Sequence, residues 1–187
     1  MNKVFIGGSR SLSRLNDDIR QRLDNIMEKQ YSVLVGDANG VDKAVQQYLF
    51  SKNYRNVFLY CVGEECRNNI GSWETKWVKE PGKQKDFHYY VIKDLEMIRD
   101  TDCGFMIWDT KSKGTLNNMV NLLHESKMVI VYVSKDKKFY TLRALSDLIN
   151  LAGKYDRNAL SSLERKLHIS QRLKKEQEAF DFVNKSL

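Results

Sequence analysis

Short runs of β-branched and aromatic residues alternate with helical stripes along this chain, and the first two of those runs stop on glycine. Lys3–Ile6 runs into Gly7-Gly8, and Ser32–Val35 runs into Gly36. Short apolar runs of this kind read as strands buried on both faces, as in parallel sheets. From Leu15 to Met27 the apolar residues Leu15, Ile19, Leu23, Ile26 and Met27 keep helical spacing. Asn16, Asp17 and Asp18 supply the polar and acidic start that suits the positive end of a helix dipole. The pattern then repeats. Val41–Leu49 reads as a helix, Asn56–Val62 as a strand, and Val91–Arg99 as a helix. Cys103–Trp108 is a strand, Leu116–Leu123 a helix and Met128–Val133 the last clear strand. Alternation of this kind predicts an α/β fold, with a parallel sheet of about five strands and helices on both faces.

Two segments break the rhythm. Gly63–Tyr90 has no clean period and carries Trp73, Trp77, the sole proline Pro81 and several charges. Long irregular segments in compact domains are more often functional than accidental, so an insertion or lid is expected there. After Ser134 the pattern turns helical. Leu142, Leu145, Leu148, Ile149 and Ala152 form one stripe, and Ser161-Ser162-Leu163-Glu164 fits a capping box for a further helix running to about Val183. The expected division is therefore a domain over 1–134 and a helical C-terminal extension over 135–187.

Composition bounds the partners. A 42% hydrophobic fraction supports a real core, and no apolar run approaches the roughly 20 residues that span a membrane. The N-terminus enters a strand pattern at once, so no secretory leader is expected and a cytoplasmic location is. Three cysteines, Cys61, Cys66 and Cys103, are an odd number without a leader, which argues against disulfides. The histidines are scattered, so neither a metal site nor a cofactor is expected. The net charge of +7 favours anionic partners, nucleotides and nucleic acids alike. Much of it lies in Lys135–Leu187, where 12 Lys and Arg face 7 Asp and Glu. That extension reads as a solvated helical face, and homo-oligomerisation through it is an expectation.

In an open α/β sheet, ligands bind beyond the carboxyl ends of the strands, near a switch in strand order. Three strand ends carry suitable residues. After the first strand come Gly7, Gly8, Ser9, Arg10 and Ser11. The glycines admit an anion close to the backbone, the amides face it, and Arg10 adds a forked cation. After the second come Gly36, Asp37, Ala38, Asn39, Gly40, Val41 and Asp42. Asp42 suits the start of a helix or a ribose hydroxyl, and Asp37 reads as a turn residue. After Cys103–Trp108 come Asp109, Thr110, Lys111, Ser112, Lys113, Gly114 and Thr115, a phosphate cradle in composition. It is not a Walker A loop, because Thr115 and not Lys follows Gly114. Each loop also has a plain reading as a solvated or capped turn. Three on one sheet edge point together to a phosphate-bearing ligand.

These residues resemble a known family. Val4-Phe5-Ile6-Gly7-Gly8-Ser9-Arg10, Gly36-Asp37-Ala38-Asn39-Gly40-Val41-Asp42-Lys43-Ala44 and Ile107-Trp108-Asp109-Thr110-Lys111-Ser112-Lys113-Gly114-Thr115 are similar to the YspA-like branch of the SLOG superfamily. Thr110 stands where that branch has glycine, and the likeness covers about residues 1–134. The resemblance implies a Rossmann-like fold and a nucleotide cradled by the loops. The superfamily includes phosphoribohydrolases, the single-stranded-DNA-binding DNA-processing protein A, and sensor domains for NAD-derived or cyclic nucleotides. The phosphoribohydrolases carry a glutamate where Asn118 stands here, and an amide cannot serve as a carboxylate base.

Three functions follow as expectations. The first is a sensor or carrier of an adenine nucleotide, NAD derivative or cyclic nucleotide, held by Gly7, Gly8, Ser9, Arg10, Gly36, Asn39, Gly40, Asp42, Asp109, Ser112, Lys113, Gly114 and Thr115. The second is an enzyme cleaving a nucleotide N-glycosidic bond, for which Asp42, Asp109, Glu64 or Glu65 would supply the carboxylate. The third is a protein binding single-stranded nucleic acid. Trp73 and Trp77 are four apart and share a face if that stretch is helical. They would then either stack on a base or form the insertion's own small core.

Overall fold

In the computed structural model, which describes residues 2–79 and 87–155, strand β1 (Lys3–Gly8) lies at the centre of a seven-stranded sheet. Along the chain follow α1 (Asp17–Glu28), β2 (Ser32–Gly36), α2 (Val41–Ser51), β3 (Val57–Val62) and β4 (Glu74–Val78). Then come α3 (Phe87–Asp100), β5 (Cys103–Trp108), α4 (Lys113–His124), β6 (Val129–Val133), β7 (Lys138–Leu142) and α5 (Leu145–Gly153). The strand order is β4-β3-β2-β1-β5-β6-β7, parallel throughout except for the antiparallel β6–β7 pair. The chain builds outward from β1 to β4, then returns to lay β5 on the other side of β1. The switch in strand order therefore falls between β1 and β5, where Gly8 pairs with Ile107.

Alternating side chains explain the two covered faces. Val4, Ile6, Val33 and Val35 pack with Ile19, Leu23 and Ile26 of α1 and Val41, Val45 and Leu49 of α2. On the opposite face Gly104 lacks a side chain where Leu122 of α4 presses onto the sheet. Helix α1 starts where the sequence says it should: the Asn16 side chain accepts from the Ile19 amide at 3.2 Å, with Asp17 and Asp18 in the first turn.

Three expectations need correction. First, the sheet has seven strands. β4 lies inside the segment expected to be an irregular insertion, and β7 inside the one expected to be helical. Both are edge strands with one face toward solvent, so Glu74, Lys76, Lys138 and Thr141 interrupt the apolar signal. Leu142 thus belongs to β7, while Leu145, Leu148, Ile149 and Ala152 do lie on one helix, α5. Contact within the chain divides it into units over 1–145 and 146–187, so the sheet-bearing unit runs past residue 134. The capping box at Ser161 and the helix beyond it lie outside the described residues. Second, Cys61 and Cys66 form a disulfide, with Cα atoms 5.4 Å apart. The reversal at Gly63, with φ of 85°, folds the chain back within bonding distance; counting cysteines says nothing about such a turn. Third, Trp73 and Trp77 share no helix. Trp73 is buried, and its indole donates to the Tyr54 carbonyl at 3.0 Å. Trp77 is half-exposed on β4. Among the described residues no helix is long and apolar enough to cross a membrane.

Candidate functional site

A cleft of about 610 Å³ opens at the carboxyl ends of β1, β2 and β5. It is lined by Gly7, Gly8, Arg10 and Ser11 after β1, by Ala38 and Asp42 after β2, and by Asp109, Lys111, Ser112, Gly114 and Thr115 after β5. Helix α3 adds Val91, Lys93, Asp94 and Met97, and α4 adds Asn117 and Asn118. The topology brings together loops that are far apart in sequence, at the switch point where α/β sheets bind ligands.

Each loop is held by its own polar residues. Ser9 is fully buried: its amide donates to the Ile107 carbonyl at 3.0 Å and its hydroxyl accepts from the Asp109 amide at 3.0 Å. It ties the first loop to the third and does not line the cleft. Asp109 accepts from the amides of Lys111 (2.9 Å) and Ser112 (2.7 Å) and from the Ser11 hydroxyl (2.6 Å). Burial works to raise its carboxyl, but the Ser11 hydrogen bond and those backbone donors outweigh it, and the group lies below the usual range. A carboxylate so engaged organises the loop and is a poor proton-transfer group. Ser112 then caps α4, accepting from the Thr115 amide at 3.3 Å. This leaves the positive end of α4 at the cleft beside Arg10 and Lys111. Lys113 is exposed and stands outside the lining.

The second loop is a buttress. Gly40 packs against the backbone of Arg10, and the Val41 amide donates to the Ser9 carbonyl at 3.3 Å. Asn39 is exposed and accepts from the Asn68 side chain at 3.1 Å. Gly36, Asn39 and Gly40 stand outside the lining and fix its shape. Only Asp42 of this loop's candidates reaches the cleft.

Asp42 belongs to a buried charge cluster that sequence reading did not detect. The Lys93 ammonium, 4% exposed, lies 3.4 Å from Asp37 Oδ1, 4.0 Å from Asp42 Oδ2 and 3.6 Å from Asp94 Oδ1. Arg67 covers Asp37 from the other side, with Nη2 donating to Oδ1 at 2.6 Å and both Nε and its backbone amide donating to Oδ2. Gln46 receives the amide of Ile70 at 3.1 Å and donates to the Gly36 carbonyl at 2.9 Å, fixing the segment that carries Arg67. A Cβ on Gly36 would stand 2.5 Å from Asp42 Oδ2 and would press on the Lys93 ammonium. The cluster therefore needs glycine at the end of β2.

Two carboxyls of this cluster diverge. Burial works to raise Asp37, but the Arg67 hydrogen bonds and the Lys93 charge hold it at about 2. Burial dominates at Asp42, where Lys93 only partly offsets it and Asp94 adds repulsion, and its carboxyl is pushed up to about 6. Burial lowers the Lys93 ammonium, yet Asp94, Asp42 and Asp37 together raise it above the ordinary value, so it stays charged. The sign of the Asp42 effect is testable. A group whose folded pKa is raised stabilises most below its unfolded value and loses that contribution as pH rises through the folded one. Between about pH 4 and pH 6 the folded chain holds a proton at Asp42 that the unfolded chain releases. Stability from this group therefore falls as pH rises through that window. Asp42→Asn is expected to remove a pH-dependent component on the order of 2 kcal/mol. Urea unfolding of both proteins at pH 5 and pH 7.5 measures it; parallel behaviour of the two contradicts it.

The remaining candidates fall elsewhere. Glu64 and Glu65 are exposed and outside the lining, and the buried Trp73 and half-exposed Trp77 also lie outside it. Among the described residues no group of three or more His, Cys, Asp or Glu side chains could hold a metal ion.

Strand order, helices on both faces and a cleft at the β1/β5 switch define a Rossmann-like α/β protein. No family model matches the chain, and no curated protein matches it. A solved structure of DNA processing protein A from Helicobacter pylori, described for its single-stranded DNA binding mode, is similar in fold. Its TM-score is 0.54, with 14% identity over 89% of this chain and 80% of that one.

Proposed function

We propose that this protein binds a nucleotide or nucleotide-derived ligand in the switch-point cleft, as a sensor or carrier related to the YspA-like branch of the SLOG superfamily. The observation that carries the reading is the meeting of the first and third loops at one cleft, with Arg10, Lys111 and the amino end of α4 on its rim. Oriented amides and a helix dipole favour a phosphate there. Phe5, Val91 and Met97 supply apolar wall for a base.

Gly114 allows a direct test. A Cβ built on it meets nothing within 4 Å, so a large side chain extends into open space without disturbing the fold. Gly114→Trp is expected to melt within about 1 °C of the parent, a surface change of small energetic consequence. It is expected to weaken nucleotide binding at least roughly tenfold, a loss of about 1.4 kcal/mol. Calorimetry against a panel of nucleoside mono- and diphosphates, NAD derivatives and cyclic nucleotides reads this. Unchanged affinity counts against the cleft.

The likeness to a single-stranded-DNA-binding protein and the net charge of +7 favour nucleic acid as a second reading. Binding to a single-stranded oligonucleotide would then fall steeply with salt, as counterion release requires. Chromatography of the incubated nucleotides separates a third possibility. A ligand returned intact is carried or sensed. A consumed one makes this an enzyme, with Asp42 the cleft carboxyl whose pKa near neutrality suits proton transfer.

A further inference from the structure

The disulfide lies one residue from the buried charge cluster. Cys61, near the end of β3, is fully buried in the core, while Cys66 is only partly buried against it. The next residue is Arg67, whose Nη2, Nε and backbone amide all donate to Asp37. Asn68 follows, and its side chain donates to the Asp37 carbonyl at 2.8 Å. Between Gly63 and Ser72 the chain forms neither helix nor strand. Its downstream end is anchored by the buried Trp73, whose amide donates to the Asn69 side chain at 3.1 Å. Its upstream end is anchored by the bond at Cys66.

That bond does little for the fold as a whole. The two cysteines are five residues apart, and a crosslink that closes so short a loop restrains little of the unfolded chain. Its local effect is larger, because it fixes where Arg67 starts. Cys66 is the member that a reductant can approach, since Cys61 is enclosed. Once reduced, Cys61 can stay in the core as a small apolar residue. Cys103 pairs with Val4 at the opening end of β5, away from this loop, and takes no part.

We infer that Cys61 and Cys66 form a thiol–disulfide exchange site that sets the charge of the cleft through Arg67. A small or protein dithiol is the reductant. Its first thiolate attacks the Cys66 sulfur, and Cys61 leaves with the electron pair of the S–S bond and takes a proton. The second thiol of the reductant then attacks its own sulfur in the mixed disulfide and releases Cys66. Two electrons pass to the pair, and the reductant ends as a disulfide. Residues 63–68 lose their covalent anchor, and Arg67, exposed at its outer side, moves off Asp37 into solvent. Asp37 then draws on Lys93, the other cation beside it. Lys93 is shared with Asp42 and Asp94 of the cleft lining, so both lose counter-charge. The oxidised chain therefore favours an anionic ligand and the reduced chain disfavours it. The anionic ligand rests on the phosphate-binding reading; the release of Arg67 does not.

The test compares the full chain before and after treatment with dithiothreitol. Amide exchange at Arg67 is expected to accelerate at least roughly tenfold on reduction, as for a locally opened segment, while amides of β1 and β2 keep their protection. The Asp42 carboxyl, followed by nuclear magnetic resonance without ligand, is expected to titrate at higher pH in the reduced chain. Adenosine 5′-monophosphate, measured by calorimetry at pH 7.5, is expected to bind roughly three- to tenfold more weakly to the reduced chain, the effect of one charge lost near the site. Arg67→Gln, with the disulfide intact, is expected to show the same weakening and no further response to dithiothreitol. The wild-type comparison stands even if that variant does not fold. Unchanged exchange at Arg67 overturns the proposal, as does an Asp42 titration or a nucleotide affinity that ignores the redox state. Failure of the nucleotide to bind either form counts against the phosphate reading alone, and exchange and titration then decide the switch.

Discussion

Replacing Lys93 with methionine is expected to destabilise the protein by about 3–5 kcal/mol, the largest loss from any single side chain in the cleft. Removal of one member of a buried ion cluster leaves the others charged without compensation. Lys93 stands between three carboxylates and is 4% exposed. Arg67 still serves Asp37, but nothing else cationic among the described cluster serves Asp42 or Asp94. The folded variant responds by protonating Asp42, whose carboxyl already lies near 6 and rises further without the lysine. The loss is therefore expected to be greatest above neutrality and to diminish as pH falls toward 5. Urea unfolding at pH 5, 7 and 8.5 tests both the size and the slope. A loss under about 1 kcal/mol, flat across pH, would show that the cluster relaxes onto solvent in the cleft. Lys93→Arg is expected to fall between, since the charge is kept but a guanidinium is larger than the space left against Gly36.

Lys93 also marks where sequence reading runs out. It sits between Ile92 and Asp94 in a helix of mixed character, and a lysine there reads as a solvated charge. Its partners Asp37 and Asp42 lie more than fifty residues earlier, and no local pattern links them. The first and third loops were legible because each lies directly after a strand whose interior is buried, β1 or β5, and whose apolar run ends in glycine or in a turn-forming aspartate. The alternation of buried strand and amphipathic helix carried the sheet and its direction. It did not carry β4 or β7, because an edge strand needs only one apolar face and takes charges on the other. The second loop was legible as a motif and not as a role. Its glycines read as a third phosphate cradle, whereas Gly40 packs against the backbone of the first loop at Arg10.

Gly40→Val carries the second large effect. The backbone at Gly40 has φ of 84° and ψ of −127°, a region that residues with a Cβ rarely enter. A Cβ there would also stand 2.5 Å from Arg10 Cα and 2.6 Å from its carbonyl carbon. Backbone strain alone accounts for about 1–3 kcal/mol, and the contact is with main chain, which cannot swing aside as a side chain can. The two loops must part, losing the bond from the Val41 amide to the Ser9 carbonyl. A total of about 3 kcal/mol or more is expected, read as a fall in the urea midpoint. Binding should suffer beyond what stability explains. Arg10 is displaced by the same contact, so nucleotide affinity is expected to fall at least roughly tenfold under conditions where the variant remains folded. Gly114→Trp provides the contrast, with binding lost and stability kept. A folded Gly40→Val protein of unchanged affinity would mean that the second loop is an ordinary turn. Loss of both properties would mean that a glycine outside the cleft sets the shape of its rim.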